Sequence, residues 1–461
     1  MSNMTVGRWH SRKWRAFLVP LLALLLSALL PPLVAGASSA QVVRVTFDAD
    51  RDAETSVAVN PNNPSNVVAG WISSGDRTCG YGVSFDGGLT WPVIGVVPGI
   101  QTGSGGQFDR GTDPSVVFDR SGNAYYTCLA FNLFPPGTGS AGTIFVSRST
   151  DGGVTWGAPV VAMTGEDSPG NSISKFEDHQ FLTANPANGH LYLTQTEFTA
   201  FGKPAILFTR SSDGGRTWAE PVQINDRAGN ATFQDSFSAA GKDPKVVYVT
   251  FGAFSNAGLP NWDRIYIAKS SDGGLTFSQP QLLAEITPLP DPLPNASWRS
   301  DNNLWVAVDR NTNRVYVNFA DYDTGDADIR VLRLRDRGDR FEVEGNTRVN
   351  DDGAGSDQFF PFITVAPSGR VDVCFQDRRY APGNALIFTT CAFSGNAGAS
   401  FTNLQVTTTP FDAANNDFIG DYNWQASTDS AVLPIFVGDG VPGGDSGTQE
   451  VFVARVTTTT Q

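Results

Sequence analysis

Histidine and methionine are scarce in this chain of 461 residues, with three of each. Its four cysteines form no Cys-x-x-Cys pair, and beyond residue 40 the histidines are His179 and His190. A zinc site built from several histidines or from closely spaced cysteines is therefore excluded. A Ser-His-Asp hydrolase centre has little support for the same reason.

Basic residues are also few relative to acidic ones. The chain has 32 Lys and Arg against 46 Asp and Glu, which gives a formal net charge of −14, and no run of basic residues stands out after residue 40. Such a surface does not attract a phosphate backbone, so we expect no nucleic-acid partner.

The first 40 residues differ from the rest. An apolar run over residues 16–30 is followed by two prolines and a series of small residues. The run is preceded by basic residues: Arg8, Arg12, Lys13 and Arg15. This pattern predicts a signal peptide over residues 1–40, cleaved at Ala37 or Ala40, and a secreted protein without membrane contact after cleavage. A retained membrane anchor is the alternative, because the stretch from residue 16 to residue 36 is nearly long enough to span a bilayer.

One octet, Ser-x-Asp-Gly-Gly-x-Thr-[Trp/Phe], occurs four times. The copies are residues 84–91, 149–156, 211–218 and 270–277, with their aspartates at Asp86, Asp151, Asp213 and Asp272. Altered copies at residues 336–341 and 394–401 continue the period of about 60 residues. In such a turn the aspartate accepts bonds from turn amides and the glycines supply positive φ, so each octet predicts a structural hairpin.

The octet resembles the Asp-box, or BNR repeat, of the sialidase superfamily, and the resemblance covers nearly all of the chain after residue 41. It implies a β-propeller but not catalysis, because the same turn occurs in propellers without sialidase activity.

An acid precedes an apolar run in each of seven repeats. These opening acids are Asp52, Asp113, Asp178, Asp235, Asp301, Asp357 and Asp421. The last repeat lacks a fourth strand, and residues 42–47 form a strand without a repeat of their own. We therefore predict an all-β domain over residues 41–461: seven four-stranded antiparallel blades, closed by the N-terminal strand. Six blades, the number in catalytic sialidases, are the alternative.

The cysteines predict two disulfides in an exported chain. Cys374 and Cys391 lie on consecutive strands and are expected to pair within the sixth blade. Cys79 and Cys128 lie in adjacent repeats and are expected to join the first blade to the second.

The propeller face opposite the octets, where the first strands begin, is the candidate functional face. Acids, arginines and aromatic residues collect there, a combination that fits sugar recognition. An aspartate that merely caps a turn is the structural alternative at each opening.

The resemblance to sialidases implies a triad of arginines, a tyrosine nucleophile with a glutamate partner, and an aspartate acid/base. Arg110, Arg299 and Arg378 are the candidates for the triad. Tyr380 or Tyr422 is the candidate nucleophile, with Glu177 or Glu197 as its partner. Asp52 or Asp113 is the candidate acid. The Arg-Ile-Pro motif that begins the first blade of that family is absent, which weakens the catalytic interpretation.

Dense aspartates at one loop are candidate calcium ligands: Asp321, Asp323, Asp326 and Asp328. No other cofactor is expected. The sequence therefore favours a secreted propeller that binds a glycan or an extracellular protein, with an exo-α-sialidase-like glycoside hydrolase as the alternative.

Overall fold

The computed structural model describes residues 37–47, 51–73, 77–133, 141–168, 172–200, 202–225, 232–256, 258–414, 416–439 and 449–458. The predicted signal peptide lies outside these ranges except for residues 37–40. These four residues belong to the first strand, β1 (Ala37–Arg44), so the propeller strand begins before the predicted boundary at residue 41.

Seven antiparallel sheets follow one another along the chain. Sheet 1 contains β2 (Ala53–Val59), β3 (Val67–Ser73), β4 (Thr78–Ser84) and β5 (Val93–Val96). After a 3₁₀ turn (Thr102–Ser104), sheet 2 contains β6 (Arg110–Phe118), β7 (Ala124–Phe131), β8 (Thr143–Ser149) and β9 (Val160–Thr164). Sheet 3 contains β10 (Glu166–Ser168), β11 (Ser172–Ala184), β12 (Leu191–Thr199), β13 (Ala205–Ser211) and β14 (Val222–Gln223).

Sheet 4 contains β15 (Thr232–Ala240), β16 (Val247–Phe254), β17 (Arg264–Ser270) and β18 (Gln281–Glu285). Sheet 5 contains β19 (Trp305–Asp309), β20 (Arg314–Asp321), β21 (Asp328–Asp336) and β22 (Phe341–Arg348). Sheet 6 contains β23 (Gln358–Val365), β24 (Val371–Asp377), β25 (Phe388–Ser394) and β26 (Thr402–Gln405). Sheet 7 contains β27 (Trp424–Ser427), β28 (Ala431–Gly438) and β29 (Glu450–Thr458), and β1 is its fourth strand.

The sheets form a ring of seven blades. The inner strand of each blade contacts the inner strands of both neighbours, and the series closes where β27 meets β2. β1 pairs antiparallel with β29 from Ala37 opposite Thr458 to Arg44 opposite Phe452. The seven-bladed propeller and its closure by the N-terminal strand are therefore confirmed. The paired strand covers residues 37–44, slightly before the predicted 42–47, and blade 3 has the additional short strand β10.

Aromatic side chains from the inner strands fill the centre of the ring. Phe181 packs on Trp305 with ring centroids 4.8 Å apart, Trp305 packs on Phe362 at 4.5 Å, and Phe362 packs on Trp424 at 4.3 Å. These rings come from blades 3, 5, 6 and 7, so the centre is a packed core that holds the blades together.

Each octet forms the turn between the third and fourth strands of its blade. In blade 2, Asp151 accepts hydrogen bonds from the Ser149 hydroxyl (2.7 Å), the Thr155 amide (2.9 Å) and the Thr155 hydroxyl (2.6 Å). The Ser149 hydroxyl oxygen in turn accepts from the Gly153 amide (2.8 Å). The turn is thus held by its own side chains, as the sequence predicted.

The octets also join neighbouring blades, which the sequence did not reveal. The Asn66 side chain of blade 1 donates to the Gly152 carbonyl of blade 2 at 2.9 Å. A Cβ on Gly153 would lie 2.5 Å from the Val68 side chain of blade 1. Blade 7 contacts the first octet in the same way, because Arg455 donates to the Gly87 carbonyl at 2.9 Å.

Both predicted disulfides are confirmed. Cys79 and Cys128 connect blades 1 and 2 with Cα atoms 6.3 Å apart, and Cys374 and Cys391 connect neighbouring strands of blade 6 with Cα atoms 4.0 Å apart.

Candidate functional site in the central cavity

A cavity of about 560 Å³ lies on the face where the inner strands begin. Five opening acids line it: Asp113, Asp178, Asp235, Asp301 and Asp421. Glu54, His179 and Arg299 also line it, together with the aromatic side chains of Phe131, Phe176, Phe254, Trp262 and Phe418. The volume is within the range of small-molecule sites.

Backbone irregularities place several of these side chains. The strand register shifts at the start of the inner strands of blades 1 to 4. At these shifts Glu54, Asp113, His179 and Asp235 have φ of 50°, 51°, 55° and 55°. Positive φ is costly for residues other than glycine, and a bulge changes the direction of a side chain. Blade 6 has the same feature at Phe360, with φ of 48°, although Phe360 does not line the cavity, so the bulge recurs in the repeat and directs polar side chains to the cavity in blades 1 to 4.

The loop between blades 4 and 5 supplies Arg299 and part of one wall. Arg378 of blade 6 donates to the Pro294 carbonyl at 2.9 Å and to the Asn295 carbonyl at 3.3 Å. Ser297 donates to the Asn416 carbonyl at 2.8 Å, which ties this loop to the segment before blade 7. The wall is thus anchored to two other blades.

Arg299 is bound to the carboxylate of Asp421, with Nε 2.7 Å from Oδ1 and a second contact from Nη2 to Oδ2. Its guanidinium also lies 5.4 Å from the ring centroid of Phe418. The arginine that lines the cavity is therefore already paired with a protein carboxylate.

His179 and Asp235 form the second charged pair. His179 Nδ1 lies 2.6 Å from Asp235 Oδ1, and Trp262 Nε1 donates to Asp235 Oδ2 at 2.7 Å. Burial lowers the pKa of His179, but the carboxylates of Asp235, Asp113 and Asp178 outweigh this effect and raise the pKa well above its usual value. These carboxylates therefore favour the protonated form of the imidazole.

Several carboxyl groups of the cavity have pKa values displaced upward. Burial, with repulsion from Asp113, raises the pKa of Asp178 to about 7. Burial and then the neighbouring carboxylates raise the pKa of Glu54 and of Asp301 well above the usual range. Carboxyls that keep a proton near neutral pH can act as hydrogen-bond donors or general acids.

The structure does not bring the six predicted sialidase residues together. Asp113 and Arg299 line the cavity, whereas Arg110, Arg378, Tyr380 and Glu177 are not among its lining residues. Arg378 is fully buried and anchors the loop described above, and its Nη1 lies 3.3 Å from Asp357.

The other three predicted residues also have local partners. Arg110 donates to the Asp109 carbonyl at 3.1 Å, and the Tyr380 hydroxyl lies 3.0 Å from the Thr390 hydroxyl. Glu177 lies opposite Glu197 on the neighbouring strand and accepts a bond from Gln195.

Two residues that the sequence left as alternatives, Tyr422 and Glu197, have different surroundings. Tyr422 is fully buried and contacts the His179 ring at 5.8 Å, while Glu197 lines a separate cavity with Glu177 and Lys175. Burial, with repulsion from Glu197, raises the pKa of Glu177 to about 8.

Two opening acids do not line the cavity. Asp357 accepts from the Ala327 amide at 3.0 Å and from Asn384. Asp52 is fully buried outside the lining of the cavity, and its amide bonds the Gln449 carbonyl at 2.9 Å.

The aspartates expected to bind calcium have protein partners. Asp321 and Asp323 pair with Arg330 at 3.2 Å and 2.9 Å. Asp328 pairs with Arg348 at 2.6 Å, and Asp326 accepts from the Gly355 amide at 2.5 Å. Within the described ranges, no group of three or more His, Cys, Asp or Glu side chains is arranged to hold a metal ion. The calcium site stays a prediction.

Several lining residues were not predicted from the sequence: Trp262, Asp291, Asp417 and Phe418. They lie in loops of unequal length, so no repeat marks their positions.

In the part of the chain that the structure describes, no helix is long and apolar enough to cross a membrane.

Comparison with known proteins supports the fold. A sialidase of Micromonospora viridifaciens is 34% identical over 122 residues, which are 23% of this chain and 18% of that protein. The chain therefore matches less than a fifth of that relative's length. No family model matches the chain.

Two solved structures have a similar fold over almost the whole chain, at low sequence identity. A polysaccharide lyase of family PL25, an ulvan lyase, has a TM-score of 0.54 and 11% identity, covering 91% of this chain and 98% of the lyase. A protein of unknown function from Dyadobacter fermentans has a TM-score of 0.52 and 15% identity, covering 91% and 99%.

A GH93 α-L-arabinofuranosidase of Fusarium graminearum, solved with arabinobiose, has a TM-score of 0.50 and 12% identity, covering 91% of this chain and 98% of the enzyme. At these identities the likeness is one of fold. The chain is thus a seven-bladed β-propeller that resembles the sialidase superfamily, with direct sequence similarity to a sialidase over one segment.

Proposed function

We propose that this protein is a secreted, carbohydrate-binding propeller that takes its glycan in the central cavity. The observation that carries the proposal is the lining of that cavity, where carboxyl groups and aromatic side chains face the same space. Carboxyls bond sugar hydroxyls, and aromatic rings cover the apolar face of a pyranose or furanose. Proteins with the same fold include an arabinofuranosidase solved with arabinobiose and an ulvan lyase, which supports a carbohydrate ligand.

Export is part of this proposal and rests on the N-terminal pattern and the two disulfides. Cleavage after Ala37 would leave residues 38–44 of β1 to close the ring, whereas cleavage after Ala40 would remove half of that strand. N-terminal sequencing of the exported protein is expected to give Ser38. An intact N-terminus on membrane-bound protein would instead support the retained anchor.

A glycan array with two phenylalanine variants tests the binding site. Phe418 lies half-buried in the cavity wall, and Phe85 lies half-exposed in the first octet on the opposite face. Phe418→Ala is expected to weaken glycan binding by about fivefold to tenfold, since an aromatic contact contributes roughly 1 kcal/mol. Phe85→Ala is the matched control and should bind as the wild type. Equal binding by all three proteins would move the site away from the cavity, and no binding to any glycan would reject the proposal.

Glycoside hydrolysis is the second candidate, and the carboxyl of Asp178 favours it. With a pKa of about 7, raised by burial, this group holds a proton that a leaving sugar oxygen requires. The match to a sialidase makes sialosides the first substrates to test. The pairing of Arg299 with Asp421 argues against them, because it leaves the substrate carboxylate without a free cation at this arginine.

A panel of chromogenic glycosides separates binding from catalysis. Turnover by the wild type that falls at least about 100-fold in Asp178→Asn would establish a hydrolase, since general acids contribute about that much. Absence of turnover across the panel, with glycan binding retained, would leave the binding function alone.

A further inference from the structure

Six carboxyl side chains from six segments of the ring face the central cavity. They are Glu54, Asp113, Asp178, Asp235, Asp301 and Asp421. The cations among the lining residues are His179, which is bound to Asp235, and Arg299, which is bound to Asp421. Among the described residues, the other four carboxyls have no ion-pair partner: Glu54, Asp113, Asp178 and Asp301.

Two further acids lie at the rim and have partners of their own. Asp417 pairs with Arg51 at 2.9 Å, and Asp291 accepts from the Ser300 amide at 2.8 Å. The rim thus adds no cation that would neutralise the four unpaired carboxyls. Negative charge in a cavity with walls of low dielectric attracts cations more strongly than the same charge on an open surface.

His179 adds an independent observation that points to a ligand. Its side chain lines the cavity and is only 7% exposed, and within the described chain its Nε2 has no hydrogen-bond partner. As a cation, the imidazole carries a proton on this nitrogen as well as on Nδ1. A buried donor without an acceptor is costly, and a ligand hydroxyl oxygen would remove that cost.

We propose that the cavity prefers glycans that carry a protonated primary amine over their N-acylated and anionic counterparts. The proposal rests on the glycan-binding function proposed above and names the ligand class of that same site. The ammonium group would lie beside the unpaired carboxyls, and a neighbouring hydroxyl oxygen would accept a hydrogen bond from His179 Nε2.

An ammonium group fits this cavity better than a metal ion or an anion. Within the described ranges, no three acidic or histidine side chains are arranged to hold a metal ion. A sialic or uronic acid would bring another carboxylate next to the four unpaired ones, and Arg299 is already paired. An N-acylated sugar would bring a neutral amide, which attracts these carboxyls less than an ammonium group does and cannot displace their protons.

Binding of an ammonium group should release protons. Burial and the neighbouring carboxylates raise the pKa of Glu54 and Asp301 well above the usual range, so these groups retain protons to higher pH than free carboxyls do. A cation beside them lowers their pKa and displaces those protons. Affinity should therefore rise with pH over the range in which these carboxyls lose their protons on binding, while the amine stays protonated.

The test is a glycan array that carries each amino sugar in both its free-amine and its N-acetylated form, followed by calorimetry on the strongest pair in two buffers. We expect the free amine to bind at least about tenfold more tightly, with proton release that the two buffers reveal. Asp301→Asn should reduce the preference to about threefold or less, and Asp178→Asn is the second variant if the first does not fold. Asp86→Asn, in an octet, is the matched control and should keep the full preference.

The outcomes separate this inference from the proposed function. Equal or tighter binding of the N-acetylated or acidic sugars, with the cavity still required, overturns the amine preference and leaves glycan binding intact. Binding that needs added Ca²⁺ also overturns it. If no sugar binds to the wild type, the proposed function itself fails.

Discussion

The two faces of the propeller use aspartate in opposite ways. On one face, the octet aspartates accept several hydrogen bonds from their own turns. Partial burial raises the pKa of Asp213, but hydrogen bonds from Thr217, Ser211 and Arg216 outweigh it and lower the pKa to about 2. On the other face, burial raises the pKa of Asp178 to about 7, and no side chain of the described residues forms an ion pair with it.

This difference shows how the carboxyl groups of each face affect the stability of the fold. The octets satisfy each charge with local donors and repeat the solution four times. The cavity gathers carboxyls from different blades, and three of them, Glu54, Asp113 and Asp235, lie at positive φ. The octet face therefore satisfies its carboxylates within each turn, whereas the cavity face holds carboxyls without ion-pair partners.

The largest expected effect concerns the contact of an octet with its neighbouring blade. Gly153→Ala should lower the free energy of unfolding by about 3 kcal/mol, because φ is 97° and the new Cβ would lie 2.5 Å from Val68. Chemical denaturation measures this loss.

Gly338→Ala is the control for backbone strain. Gly338 has the same φ of 97° in the altered octet of blade 5, with nothing within 4 Å of a new Cβ, so a loss of only about 1 kcal/mol is expected. Equal losses in both variants would mean that the blade contact contributes nothing.

A second prediction is that removing an aspartate has opposite effects on the two faces at pH 8. Asp151→Ala should destabilise the protein by about 2 kcal/mol, since the turn loses charged hydrogen bonds. Asp178→Ala should stabilise it by about 1–2 kcal/mol, since a carboxylate that is costly to ionise disappears.

The dependence on pH gives the sign of each change in stability. The folded pKa of Asp178 is about 7 and the unfolded value is about 3.9, so wild type loses stability relative to Asp178→Ala as pH rises between these values. Asp151 has a lowered folded pKa, so its contribution is present above about pH 4 and is lost in acid. Denaturation curves at pH 4 and pH 8 measure the effect of Asp178, and curves below about pH 4 measure that of Asp151. A stabilising Asp178→Ala that is equally strong at pH 4 would contradict this account.

The smallest expected effect tests the altered octet of blade 6. Asn396 accepts from the Ser394 hydroxyl at 2.8 Å and from the Ser400 amide at 3.1 Å, as the aspartates do in the intact octets. Asn396→Asp should stabilise the protein by about 0.5 kcal/mol, because hydrogen bonds to a charged acceptor are stronger. Thermal unfolding would show this gain as a small rise in Tm. A fall in Tm would mean that other residues of the turn have changed as well, so that the turn no longer favours an aspartate.

Features that repeat or lie close in sequence could be predicted from the sequence. The octets, the seven opening acids and the pairing of Cys374 with Cys391 each follow from local spacing, and the structure has them as expected. Even the closing strand could be inferred, because residues 42–47 form a strand outside the repeats and the last repeat lacks a fourth strand.

Features that depend on unequal loops could not be predicted. The loop that carries Arg299 and the side chain of Trp262 reach the cavity through conformations that no period encodes. Arg378 illustrates the limit, since its type and position fitted substrate binding, yet it anchors a loop backbone. The partnership of His179 with Asp235 also needed the structure, because it depends on how blades 3 and 4 face each other.

The pairing of β1 with β29 sets an order of events during biosynthesis. Residues 37–44 are made first but have no partner until residues 450–458 emerge, so blade 7 can form only when nearly all of the chain is available. Blades 1 to 6 are built from contiguous segments and can form as they are made. Completion of the ring is therefore a late, long-range step, and an interrupted chain would expose the apolar faces of its first and last finished blades to aggregation.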